Sequence, residues 1–117
     1  MSQVNWMRCQ GNQWCPLLTV DLDHEAFDVG GVYVIWHGGP NARTVYVGQG
    51  EPVRDRLAAH RNDRRITQYS NGGLSVTWAK VDAAQRDGIE RYLADTLSPL
   101  VGEAHPAAQP IPVNLPW

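Results

Sequence analysis

Positive charge, cysteine and long apolar runs are all scarce in this 117-residue chain. The formal net charge of −2 is not that of a general nucleic-acid binder with a broad basic surface. Two cysteines, Cys9 and Cys15, are too few for a disulfide framework, and their spacing is not the CxxC of common zinc sites. With His24 they would make only a partial metal site, so the expectation is two reduced or packed thiols. No apolar run approaches the length of a membrane span, and the polar N-terminal stretch lacks a signal-peptide pattern. The default expectation is a soluble, cytoplasmic protein with no membrane association. Also missing are a P-loop, a GxGxxG fingerprint, a zinc tetrad, a Ser/His/Asp arrangement, internal repeats and low-complexity tracts. Gly48-Gln49-Gly50 before a helix is a faint phosphate-loop signal without the rest of a nucleotide fingerprint.

What is present points to one globular domain, residues 1–117. Hydrophobic residues make up 43% of the chain, and it carries five tryptophans. Positive charge is concentrated: Arg54, Arg56, Arg61, Arg64 and Arg65 are half of the ten Lys and Arg residues. The acidic counterweight lies largely at Asp21, Asp23, Glu25 and Asp28. Such a segment suits local phosphate contact; the plainer alternative is a solvated helix face softened by Asp55 and Asp63.

The organising stretch is 31–60. Gly31–Trp36 and Thr44–Gly48 are β-branched and aromatic runs bounded by glycine, which predicts two strands. The turn cluster His37-Gly38-Gly39-Pro40-Asn41 between them is short enough to keep them antiparallel neighbours. Pro52 then sits where a first helical turn tolerates it, and Val53 and Leu57 face inward at i, i+4. After a loop at 69–73, alternation predicts a third strand over Leu74–Val81. Asp82 is a candidate N-cap for a helix from Ala83 to about Leu97, stopped before Pro99. Residues 1–27 form an extension too apolar for a free tail, with Leu17–Leu22 expected to be extended and Leu18, Val20 and Leu22 on one face. The proline-rich tail from Ala104, part of 103–117, is expected to lie extended over the core, with Ile111, Val113, Leu115 and Trp117 alternating. The expected fold class is α/β (α+β): a small, three-stranded, mainly antiparallel sheet flanked by helices, its core at 28–102.

Gly31-Val32-Tyr33, then Tyr46-Val47-Gly48, then Arg56 and His60 four apart on a helix, then Glu90 in IERYLADTLSP, resemble the GIY-YIG nuclease domain over roughly 31–102. The resemblance implies a metal-dependent endonuclease that hydrolyses DNA phosphodiester bonds. It implies Tyr33 as general base or water-ordering group, with Tyr46 supporting phosphate and water. A tyrosine ionises near pH 10, so a base role at neutral pH requires neighbouring positive charge to lower its pKa. Arg56 is the implied scissile-phosphate contact, where a planar fork suits phosphate, with His60 beside it. Gly48, Arg54, Arg61, Arg64 and Arg65 are candidate substrate contacts.

Glu90 falls with Leu93 and Leu97 on the inward helix stripe, where a carboxylate is costly unless paired or bound to a cation. The resemblance assigns it to Mg²⁺ or Mn²⁺, with water and phosphate oxygens completing the octahedron; an intrahelical pair with Arg86 is the alternative. Likewise, Tyr33 and Tyr46 can be read as an ordinary cross-strand pair. One departure stands out. The family usually places an Asn after the proline that follows the glutamate, and here that position is Gly102. Asn114 is the candidate for the missing amide, if the tail folds back.

Beside the nuclease reading stand two others. One is a module of the same fold that binds nucleic acid or a partner protein without catalysis. The other is a catalytic subunit engaging a partner, or a second copy of itself, through residues 1–27.

Overall fold

The computed structural model describes residues 2–39, 41–102 and 105–117. Pro40 in the expected turn and Ala104 at the expected start of the tail lie outside the described residues. The elements in order are β1 (Cys15–Pro16), β2 (Gly31–His37), β3 (Arg43–Gly50), α1 (Val53–His60), α2 (Arg64–Thr67), β4 (Leu74–Lys80) and α3 (Ala83–Leu97), with short 3₁₀ turns at Gln10–Asn12 and Glu25–Phe27.

The fold is α+β. Among the described residues the sheet has four antiparallel strands in the order β1-β4-β2-β3, not the three expected. The added strand is the two-residue β1, pairing Cys15 with Val76 and Pro16 with Ser75. Too short to show a period-2 pattern, it gave no strand signal. Beyond it, residues 17–20 turn instead of continuing as a strand. Leu17 and Leu22 are buried, whereas Leu18 is 41% exposed, so the expected alternation fails. Cys9 and Cys15 form a disulfide rather than two free thiols. The turn at Gln10–Asn12, with Gly11 at φ 69°, folds the chain back so that the two sulfurs meet.

β2 is one of the two inner strands, and its alternation divides the core. Tyr33 and Ile35 face one half with Val45, Tyr46, Val53, Leu57, Ile66 and Trp78. Val32 and Val34 face the other with Val47, Ile89, Leu93 and Val113. The period of two puts α1 on one side of the sheet and α3 on the other. A bulge shifts the register so that Ile35 opposes Tyr46 while Trp36 opposes Thr44. Both Val45 and Tyr46 therefore join the same core half.

α3 forms over the expected residues, and Asp82 holds the N-cap position, but its side chain makes no capping hydrogen bond. The N-terminal extension is part of the core. Leu17, Leu22 and Phe27 are buried, Met7 N donates to Trp78 O (2.9 Å), and Trp78 Nε1 donates to Ala26 O (2.8 Å). The tail crosses the α3 side, where Val113 is buried and Ser2 forms a parallel bridge to it. No helix among the described residues is long and apolar enough to cross a membrane.

Candidate active site

β3 is an edge strand, and the candidate site is built around its C-terminal half, using groups from both faces of the sheet. Tyr46 comes from the α1 face, Gln49 reaches Glu90 on α3, and Gly48 lies between them. Gly48 opposes Tyr33 across the ladder, and a Cβ there would collide with the Tyr33 hydroxyl and lie 2.9 Å from Tyr46 Cε1. Only glycine leaves the two phenols their room at this point.

The Tyr33 and Tyr46 rings are nearly parallel, with an interplanar angle of 9° and centroids 6.1 Å apart. Strand geometry thus places both phenols on one side. Tyr33 is fully buried, and its hydroxyl lies 2.6 Å from His60 Nε2. The His60 ring is buried at the end of α1, with its centroid 4.4 Å from that of Tyr46. Arg56, one turn before His60, donates to the Tyr46 hydroxyl (3.3 Å) and to Gln49 O (3.4 Å).

Burial raises the Tyr33 pKa well above the ordinary tyrosine value, and the opposing charge of Arg56 does not offset it; Tyr46 and Glu90 push it further up. The Arg56 charge acts in the direction that a base role needs, and burial, the larger effect, acts against it. Tyr33 is thus a buried phenol with its hydroxyl on His60, and Tyr46 is the phenol that lines the cavity.

That cavity has a volume of about 380 Å³ and is lined by Tyr46, Gly48, Gln49, Arg56, Glu90, His105 and Pro106. Glu90 is only 7% exposed. Gln49 Nε2 donates to its Oε1 (3.0 Å) and to Asp87 Oδ1 (2.8 Å). His105 Nδ1 lies 2.9 Å from its Oε2, and since a carboxylate only accepts, Nδ1 carries the proton. The alternative partner, Arg86, turns elsewhere, to Glu51 Oε2 (2.6 Å) and Val81 O (2.9 Å).

Among the described residues no three or more His, Cys, Asp or Glu side chains gather as a cage for a metal ion. Mg²⁺ needs no such cage, because it keeps several waters and binds one or two carboxylates with substrate phosphates. A single carboxylate on a polar cavity wall, as Glu90 is, fits that donor set.

The other expected contacts fall in three groups. Arg54 Nε donates to Leu22 O (2.7 Å), and its Nη1 lies 3.6 Å from Asp28; Arg61 donates to Leu17 O (2.8 Å) and to Val20 O. These two side chains hold the N-terminal extension, so the structure does not bring them to the cavity. Arg64 and Arg65 lie on α2, exposed, and Arg65 pairs with Asp63, whose carboxyl it holds below its ordinary pKa. Asn114 is not in the site: its Oδ1 accepts from Val4 N (2.7 Å) and its Nδ2 donates to Val4 O (3.0 Å). The missing amide is thus not supplied by Asn114. Gly102, at φ 146°, does lie beside the site, where a Cβ would be 3.4 Å from His105 Nε2.

Three lining residues, Gln49, His105 and Pro106, were missed from the sequence. Gln49 reads as a loop residue between two glycines, and His105 stands fifteen positions from the carboxylate it contacts. Only the fold of the 98–102 segment, tied to β3 by Leu100 N to Thr44 O (3.1 Å) and Val101 N to Val45 O (2.8 Å), brings His105 there. Compared with protein-family models, curated proteins and solved structures, the chain matches none.

Proposed function

We propose that the chain is a GIY-YIG-type, metal-dependent endonuclease that hydrolyses phosphodiester bonds of DNA in the cavity at the β3 edge. The observation that carries this reading is the convergence of Tyr46, Arg56 and Glu90, from a strand and two helices, on one polar cavity. Phosphodiester hydrolysis needs a positioned water, positive charge on the developing phosphorane oxygens and help for the leaving oxygen.

Arg56 presents its guanidinium to a phosphate oxygen while it orients the Tyr46 hydroxyl. That hydroxyl orders the attacking water. Tyr33 and His60 stand behind it and fix its ring from the buried side. Glu90, oriented by Gln49 and His105, would hold the divalent cation, Mg²⁺ or Mn²⁺. When bound there, such a cation would supply neutralisation of the negative charge that builds on the phosphate.

A second reading has an observation in its favour: both Glu90 oxygens already accept hydrogen bonds. A carboxylate so satisfied is stable without a cation, as in a module of this fold that binds nucleic acid or a partner protein and does not cut.

The test is cleavage of supercoiled plasmid and of branched and single-stranded oligonucleotides with Mg²⁺, Mn²⁺ or EDTA, beside Glu90→Gln. Nicking that needs metal and vanishes in the variant is the expected result. Absence of cleavage by the folded protein, with retained binding, selects the binding module. A solution mass measured alongside shows whether residues 1–27 support a homodimer.

A further inference from the structure

A second cavity, of about 450 Å³, opens where the start of β3 meets the last turn of α3. That volume lies within the range of ligand-sized clefts. None of the candidate catalytic residues lines it.

Its walls include three tryptophans from distant parts of the chain. Trp36, near the end of β2, stands between the other two. Its ring centroid is 5.2 Å from that of Trp14, edge to face, and 4.8 Å from that of Trp117. Trp117 remains 57% exposed despite this contact. Among the side chains of the described residues that line the cavity, Arg43 is the charged one. It is exposed, with Nη2 donating to Ser98 O (3.1 Å). A second cation flanks the group, since the Arg8 guanidinium lies 3.8 Å from the Trp14 ring centroid. Thr44 and Thr96 also line the wall.

Flat aromatic faces beside guanidinium groups define the occupant's chemistry. A cationic ligand of the kind aromatic cages take is repelled by Arg43 and Arg8. An apolar protein surface leaves the Arg43 charge without a counter-ion. A nucleotide satisfies both parts: its base stacks on indole, and its phosphate pairs with arginine.

We propose that this cavity binds an unpaired nucleobase of a single-stranded segment, stacked on Trp117 beside Trp36, with Arg43 on the adjoining phosphate. The proposal rests on the reading of the chain as one that acts on nucleic acid. Arg43 and Tyr46 are three residues apart on β3, about 10 Å at the rise of a strand. One nucleic-acid strand running along this edge therefore reaches both cavities. Substrates with an unpaired segment beside the cut are the class that such a pair of sites favours.

The experiment measures fluorescence anisotropy of a labelled oligothymidylate and of a duplex of equal length, in EDTA, with the full chain and with Trp117→Ala and Arg43→Gln. Both side chains are exposed, so the substitutions disturb little packing, and circular dichroism verifies the fold. The expected result is tighter binding of the single strand, weakened about tenfold in each variant. Wild-type affinity in both folded variants overturns the proposal. So does a Trp117→Ala protein that changes its mass in solution but not its affinity, which assigns the cavity to a second copy of the chain. Plasmid cleavage run in parallel separates the two readings. Weakened binding without any cleavage sinks the nuclease and leaves the base site, whereas cleavage with unweakened binding does the reverse.

Discussion

The Tyr33 hydroxyl and His60 Nε2 lie 2.6 Å apart in the buried layer between β2 and α1. Burial keeps this phenol protonated past the pH at which an exposed tyrosine ionises, near 10. The sign of the stability effect follows from proton counting. Below pH 10 the folded and unfolded chains both hold the proton, and the contribution of the neutral, hydrogen-bonded phenol is fully present. Above pH 10 the unfolded chain releases it while the folded chain does not, so stability falls as pH rises, by about 1.4 kcal/mol per pH unit for this one group. Urea unfolding at pH 9, 10 and 11 is expected to show a steeper loss in wild type than in Tyr33→Phe. Parallel losses would mean that Tyr33 ionises as freely in the folded protein as in the unfolded chain.

The same burial ranks the two phenols in the proposed reaction. Tyr46 lines the polar cavity and accepts from Arg56, whereas Tyr33 only supports it from behind. On the proposed nuclease reading, Tyr46→Phe removes the hydroxyl assigned to the attacking water, and a loss of about 10²–10⁴-fold in kcat is expected, the range of a positioned proton-transfer group. Tyr33→Phe loosens His60 and costs about 1 kcal/mol of stability, the net value of one hydrogen bond. Its kcat is expected to fall by much less. Plasmid nicking under saturating substrate decides, and the opposite ranking would return the base role to Tyr33.

The motif residues were legible because each is local: two strands with glycine ends, then a helix with Arg56 and His60 one turn apart. The period of two also placed both tyrosines on one side, and the Ala83–Leu97 helix follows from its own pattern and Pro99. What escaped depends on contacts between distant segments. β1 is two residues long and exists because Leu17 N finds Leu74 O (2.9 Å) and Cys15 finds Val76. Arg54 and Arg61 look like free basic side chains until the extension folds over them and offers its carbonyls. Whether a phenol is poised to ionise depends on burial, which the number of arginines nearby in sequence does not report.

Gly48 is predicted to be the least replaceable small residue of the site. In Gly48→Ala the added methyl meets the Tyr33 hydroxyl, which cannot swing away without leaving His60, and the Tyr46 ring edge. Overpacking of this kind costs about 1–3 kcal/mol. The displaced Tyr46 hydroxyl also loses its alignment with Arg56. Thermal unfolding and cleavage are therefore expected to suffer together. An alanine variant with wild-type stability and rate would mean that the phenols do not hold the arrangement described.

Asn114 tests where the tail belongs. Its amide closes a two-way hydrogen-bonded pair with the backbone of Val4, and its own carbonyl accepts from Trp6 Nε1 (2.9 Å). The residue thus clamps residues 4–6 to the tail on the α3 side of the sheet. In Asn114→Ala the partly buried N–H and C=O of Val4 lose their partner, at a cost of about 1–3 kcal/mol. Since the amide does not line the cavity of Tyr46, Arg56 and Glu90, the cleavage rate at temperatures where the variant is folded is expected to match wild type. Loss of cleavage from a variant of unchanged stability would place Asn114 in the reaction after all, and would require the tail to leave Val4 when substrate binds. Urea midpoints and plasmid nicking, measured on the same preparation, separate the two.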